Sequence, residues 1–188
     1  MLNWLKERQA RSRSARDLYG SIVTQARQPG FYLGLGVPDT PRGRFELIVL
    51  HTALVLRRLQ QEGHATATLA RALSETFVTD MDDNMRELTF SDLAVPREVK
   101  KVAAALFDRH GAIIAALDSP GASQAALAEV IARDLAYVAA EGPRTIVATA
   151  LASYVEAASR SLSAQGLGDL LAHGPVWPAP LPAEGARA

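Results

Sequence analysis

The sequence predicts an all-α protein, a single bundle of about six or seven helices, and three observations carry that prediction. Apolar residues recur at helical spacing over most of the 188 residues. No stretch alternates apolar and polar residues long enough to make a strand. Proline and glycine pairs stop the periodic runs at intervals that suit helices.

The first periodic run is Ala15 to Gln28, with Leu18, Ile22 and Val23 on one face and Pro29-Gly30 as the stop. Residues Phe31 to Pro38 mix aromatics with glycines and read as a packed loop. Thr40 and Pro41 then supply an N-cap and a first-turn proline for a helix over about Arg42 to Gln61. Its apolar positions, from Phe45 through Leu59, cover most of its circumference, which predicts burial among other helices. Gly63 ends it.

Leu69 to Phe77 reads as a short amphipathic helix leading into the acidic segment Asp80 to Glu87. Pro96 opens a helix in which Val99, Val102, Ala103, Leu106, Ile113 and Leu117 keep the 3.6 period. Two alanine-rich helices follow, Gln124 to Ala140 and Arg144 to Gln165. The organisation expected is a basic segment over residues 1–14, a helical domain over 15–172, and a loose Pro/Ala-rich tail over 173–188.

Composition narrows the function classes. The apolar fraction of 48% is enough for a buried core. Twenty basic and twenty acidic side chains cancel, so global charge points to no DNA coat, and any charged partner must be met by a local patch. With no cysteine, disulfides, thiolate nucleophiles and thiolate-held metal are excluded. No window reaches the roughly 20 apolar residues of a membrane span, and Met1 to Lys6 is too short for a secretory signal.

Sequence motifs propose no catalytic residue. Gly34-Leu35-Gly36 lacks both the Walker spacing and the dinucleotide fingerprint. Asp80-x-Asp82-x-Asn84 starts like a calcium loop but has Met85 and Ser91 where glycine and glutamate are required. The four histidines share no zinc-binding spacing, so no metal and no cofactor is expected.

Two charged arrangements do stand out. Arg44, His51 and Arg58 repeat every seven residues along the apolar helix and so share one face. Their expected counterparts are Asp80, Asp83 or Asn84, and Glu87, as an internal ion-pair network or as a surface for a partner. At the other arrangement, Lys6, Arg8, Arg11, Arg13 and Arg16 stand against Glu7 alone, behind Leu2, Trp4 and Leu5. Such a segment is either a solvated terminus or a contact for an anionic membrane surface or ribosomal RNA.

Phe31-Tyr32, Val37-Pro38-Asp39-Thr40, Gly43-Arg44-Phe45-Glu46, Leu50-His51 and Arg57-Arg58-Leu59 together resemble the first signature block of the ubiquinol–cytochrome c chaperone family. A second block is similar too: Asp80-Met81-Asp82, Arg86-Glu87, Ser91-Asp92-Leu93, Val95 and Val99-Lys100-Lys101. The likeness spans roughly Leu18 to Leu162. Leu88-Thr89-Phe90 and the segment Asp108 to Gly111 depart from the family pattern.

The resemblance implies a helical, non-enzymatic assembly factor that receives newly made cytochrome b, with a small co-chaperone near the ribosomal exit. It implies work on the cytoplasmic face of a bacterial inner membrane, peripheral to it. On this reading Tyr32 and Leu33 form the lip of a client groove, and Asp39, Arg44, Glu46 and His51 organise its floor, with Asp80, Asp82, Arg86 and Glu87 opposite. Thr40, Gly43, Phe45 and Asp92 are further client-binding positions by the family motif, while Trp4, Lys6, Arg8, Arg11 and Arg13 meet membrane or ribosome. The reading from another class is a haem- or small-molecule-binding protein with His51 as axial ligand.

Overall fold

One helix organises the rest of the molecule. In the computed structural model, which describes residues 2–87, 95–119, 124–135 and 141–180, helix α2 (Pro41–Gln61) is buried along almost its whole length. Around it stand α1 (Leu2–Ala26), α3 (Ala67–Glu87), α4 (Val95–Asp118), α5 (Gln124–Leu135) and α6 (Glu141–Ala164), each touching α2. A short α7 (Leu167–His173) closes the chain. The described residues contain no strand, as expected for the class.

The start of α2 follows its sequence signals. Thr40 is extended (φ −123°, ψ 161°), and its hydroxyl accepts from the Gly43 amide at 3.1 Å, with Pro41 in the first turn. Gly43 is demanded by space: a Cβ there would sit 2.0 Å from the Pro38 carbonyl oxygen. The last-turn carbonyls of α6 are closed by Arg58 of α2, which donates to Leu162 O at 2.9 Å and to Gln165 O at 2.8 Å. A buried cation is thereby spent on orphan carbonyls and on Glu62, at 2.7 Å.

Three boundaries differ from expectation. Helix α1 begins at Leu2 rather than near Ala15. Residues 2–14 show no apolar period, but they are rich in strong helix formers, and propensity continues the helix. The short helix and the acidic segment are one element, α3, in which Leu69, Leu73, Phe77 and Met81 bury a stripe at four-residue steps. Finally, residues 174–180, expected within a loose tail, lie along the bundle, with Pro175 buried and Trp177 packed on the core, and the rest of the expected tail lies outside the described residues. A single tryptophan and three prolines anchor this segment, since proline lowers the entropy to be lost on ordering.

Candidate client-binding surface

The connection between α1 and α2 is a tight π-type turn over Gly30–Gly34, in which the Leu35 amide reaches back to Gly30 O at 2.9 Å. That winding buries Phe31 completely and also Leu35 and Val37, while it throws Leu33 outward at 88% exposure. Tyr32 is half-buried, and its hydroxyl donates to Ala26 O at 2.7 Å. Burial moves the Tyr32 hydroxyl up from its ordinary pKa, with the Asp39 charge adding to it.

Beside the turn, Arg44 Nε lies 2.6 Å from Asp39 Oδ1, with both side chains more than half exposed. The hydrogen bond from Arg44 holds the Asp39 carboxyl below its ordinary range. Arg27, Tyr32, Leu33, Val37, Asp39 and Arg44 thus border an open groove of about 500 Å³. Of the expected residues, Tyr32, Leu33, Asp39 and Arg44 border this groove. Thr40 and Gly43 form the adjoining N-cap of α2, and Glu46 and His51 are buried away from it.

Glu46 points inward. Its Oε1 accepts from Arg109 of α4 at 3.0 Å, and Arg109 Nε lies 3.6 Å from Asp134 of α5. The guanidinium also covers the Phe45 ring at 5.9 Å. This clamp joins α2, α4 and α5 beside an apolar cavity of about 20 Å³, room for one water, which Glu46 and Arg109 line, and Glu46 Oε2 and Arg109 Nη1 have no protein hydrogen-bond partner. Burial pushes Glu46 up to about 7, opposed by the Arg109 charge and reinforced by Asp134.

His51 sits deeper, fully buried. Its Nδ1 is 2.7 Å from Leu47 O and its Nε2 is 2.8 Å from the Tyr154 hydroxyl of α6. Gln25 of α1 donates to that hydroxyl at 3.0 Å, so Tyr154 donates to Nε2 and the ring proton rests on Nδ1. Phe31 and Trp177 meet the imidazole edge-on at 5.2 and 5.0 Å. Desolvation lowers His51 to about 4, against the raising effect of the Leu47 bond, so the ring is neutral at physiological pH. Both nitrogens are committed to protein atoms, which leaves neither for the axial haem bond that the alternative reading requires.

The expected network between the α2 cations and the acidic segment is replaced by other partners. Arg44 takes Asp39, Arg58 takes the end of α6, and His51 takes Tyr154. Asp80 accepts from the Tyr19 hydroxyl at 2.8 Å and so fastens α3 to α1. Burial, reinforced by that bond, shifts the phenol upward. The described partners of this face come from α6 and from Asp39 before α2, and the side chains of Asn84 and Glu87 lie outside the described residues.

Asp82 is half-buried on α3. Asp92 and the side chains of Trp4, Arg86 and Glu87 lie outside the described residues. Lys6, Arg8 and Arg13 are exposed on the first half of α1, and Arg11 is half-buried. Arg8 and Arg11 border a groove toward α3, where Arg71, Glu75 and Asp83 face them.

Sequence reasoning missed Arg109, Asp134, Gln25, Tyr154 and Trp177. A signal existed for two of them. Arg109 lies between Leu106 and Ile113 on the buried stripe of α4, and Tyr154 lies in register with Val147 and Leu151 on α6. A polar or charged residue inside an apolar stripe asks for a buried partner.

The model of the family described as ubiquinol-cytochrome C chaperone matches residues 34–177, well over half of the chain. Among solved structures, the crystal structure of the Cbp3 homolog from Brucella abortus is similar at 33% sequence identity, with a TM-score of 0.79. The alignment covers 96% of this chain and 98% of that one. No curated protein matches.

Proposed function

Since this chain belongs to the ubiquinol–cytochrome c chaperone family, we propose that it holds newly made cytochrome b and promotes its assembly into the bc complex. The observation that carries this reading is Leu33, an 88% exposed leucine on a turn whose other apolar residues are buried. A large apolar side chain held in solvent by rigid winding is an unfavourable arrangement for a free protein and a favourable one for a docking site. Apolar membrane segments of cytochrome b, before insertion and before their partner subunits arrive, are the kind of client such a lip suits. Helix-in-groove packing supplies the geometry, with Leu33 and Tyr32 as anchors and the Asp39–Arg44 pair as a polar rim.

The activity is a binding activity without a chemical step. At the site, the exposed carboxylate is held by its arginine, and the buried histidine is neutral and enclosed, an arrangement suited to recognition and to fixing helices. The family supports a small co-chaperone and a ribosomal exit-site location as further parts of the same reading. No helix of the described residues is long and apolar enough to cross a membrane. Contact with the inner membrane on its cytoplasmic face would fall to Lys6, Arg8, Arg11 and Arg13, with Trp4. A basic residue near an anionic surface contributes about 1 kcal/mol.

The direct test places a photo-crosslinking amino acid at Leu33 and, as a control, at exposed Gln61. Crosslinks to cytochrome b from Leu33 and none from Gln61 are expected. Equal yields from both positions, or none from Leu33, would count against the lip.

A further inference from the structure

After α7 the chain turns at Gly174 (φ 82°) and lays Pro175-Val176-Trp177-Pro178-Ala179-Pro180 into the seam between α1 and α6. The seam holds this segment by means typical of peptide recognition. Val176 is read through its main chain: its N–H donates to Gln165 Oε1 at 3.1 Å. Its carbonyl accepts from Ser161 Oγ at 2.8 Å and from Gln165 Nε2 at 3.0 Å. The Pro178 carbonyl accepts from Gln25 Nε2 at 3.4 Å. Trp177 enters an aromatic slot over His51, with its indole N–H directed to Ser21 Oγ at 3.4 Å. Pro180 lies on Gly30 so closely that a Cβ there would come within 2.6 Å of its ring.

Two features separate this arrangement from ordinary core packing. Most of the polar floor is bonded within itself: Gln25, Tyr154, His51 and Leu47 O form a hydrogen-bonded chain, and the one bond from Gln25 to Pro178 O passes to water when the segment leaves. Withdrawal of Trp177 uncovers some apolar surface, but the opened seam admits water and strands no buried polar group. The segment is also a stiff extended peptide, with three prolines and one aromatic, the composition that binds grooves at low entropic cost.

We propose that the seam between α1 and α6 is a recognition site for an extended, proline-flanked aromatic segment of a partner protein, which residues 174–180 occupy in cis. The main-chain reading of Val176 fixes backbone direction and register. The slot over His51 selects an aromatic residue, and the bare Gly30 backbone admits a proline three positions later. The tethered segment is a competitor at high effective concentration, so a partner gains the site only when its own segment binds more tightly or the tether is loosened. Because this site is distinct from the Leu33 lip, its failure would leave the client reading untouched.

The test measures fluorescence anisotropy of a labelled peptide of residues 172–181 against full-length protein. Wild type is expected to bind weakly, because the tethered copy competes. Trp177→Ala, which removes the anchor, and Val176→Pro, which removes the N–H donated to Gln165, are each expected to bind the free peptide at least about tenfold more tightly. Adding Gln165→Ala to Trp177→Ala should cancel that gain. A loosened variant with native helical circular dichroism and unchanged peptide affinity overturns the proposal. So does exchange of the segment between two copies, seen as a dimer, or the unfolding of both variants, which would make the segment an obligatory strap.

Discussion

Arg44 and Glu46 are two residues apart on the same helix, and each makes an ion pair, Arg44 locally with Asp39 and Glu46 across to α4, yet the two pairs belong to different regimes. Arg44 meets Asp39 with 56% and 53% of the two side chains exposed. Glu46 meets Arg109 with 6% and 13% exposed. In water the first pair contributes little to stability and is screened by salt. The second holds charges that have lost their hydration, so the loss of one partner strands the other. The comparison teaches that the same residue chemistry leaves one ion pair in water at the mouth of α2 and, two residues on, locks another between three helices.

The largest effect is expected at the inner pair. Arg109→Ala leaves Glu46 and Asp134 buried together without a cation, and a loss of about 3–5 kcal/mol in urea unfolding is expected. An unfolding midpoint within error of wild type would dissolve the distinction between the regimes.

The same pair should make stability depend on pH. Glu46 is raised from about 4.5 in the unfolded chain to about 7 in the fold, so the folded state holds its proton more tightly. Its contribution is therefore complete below pH 4.5 and is lost as pH rises through 7. Glu46→Gln keeps a carbonyl for Arg109 and removes the titration. Thermal melts of variant and wild type should differ increasingly in favour of the variant between pH 5 and 8, and parallel curves would contradict the assignment.

A smaller effect is expected at the N-cap. Thr40→Ala removes the hydroxyl that accepts from the Gly43 amide and should cost about 1 kcal/mol of stability by the same unfolding assay. At the outer pair, Arg44→Ala should leave the unfolding midpoint close to that of wild type while lowering bc-complex content in cells. Leu33→Asp should lie within about 0.5 kcal/mol of wild type, since the side chain is in solvent, and should still abolish crosslinking to the client.

Much of this fold is legible in the sequence because it is written in repeats of 3.6. The all-round apolar character of α2, its Thr40-Pro41 start and the stripe of α4 each follow from local rules that tertiary context did not override. The first half of α1 was missed because the Arg-rich run carries no apolar stripe, and propensity alone had to be weighed. The candidate site was legible only in part. Tyr32, Leu33, Asp39 and Arg44 are close in sequence, so a single turn gathers them. Glu46, Arg109 and Asp134 come from three helices, and spacing along one helix cannot say which neighbour faces it. The Trp177 segment failed for a related reason: its anchors belong to α1, α2 and α6, not to itself.

The central claim, that this chain serves assembly of the bc complex through the surface at the mouth of α2, is tested most directly in its host. The gene is deleted, and the strain is complemented with wild type or with Leu33→Asp, Arg44→Ala. Reduced-minus-oxidised spectra of the membranes are then recorded. The account expects selective loss of the cytochrome b and c bands of the bc complex in the deletion strain, restored by wild type and not by the stably folded double variant. Unchanged spectra in the deletion strain, or full restoration by the double variant, would contradict it.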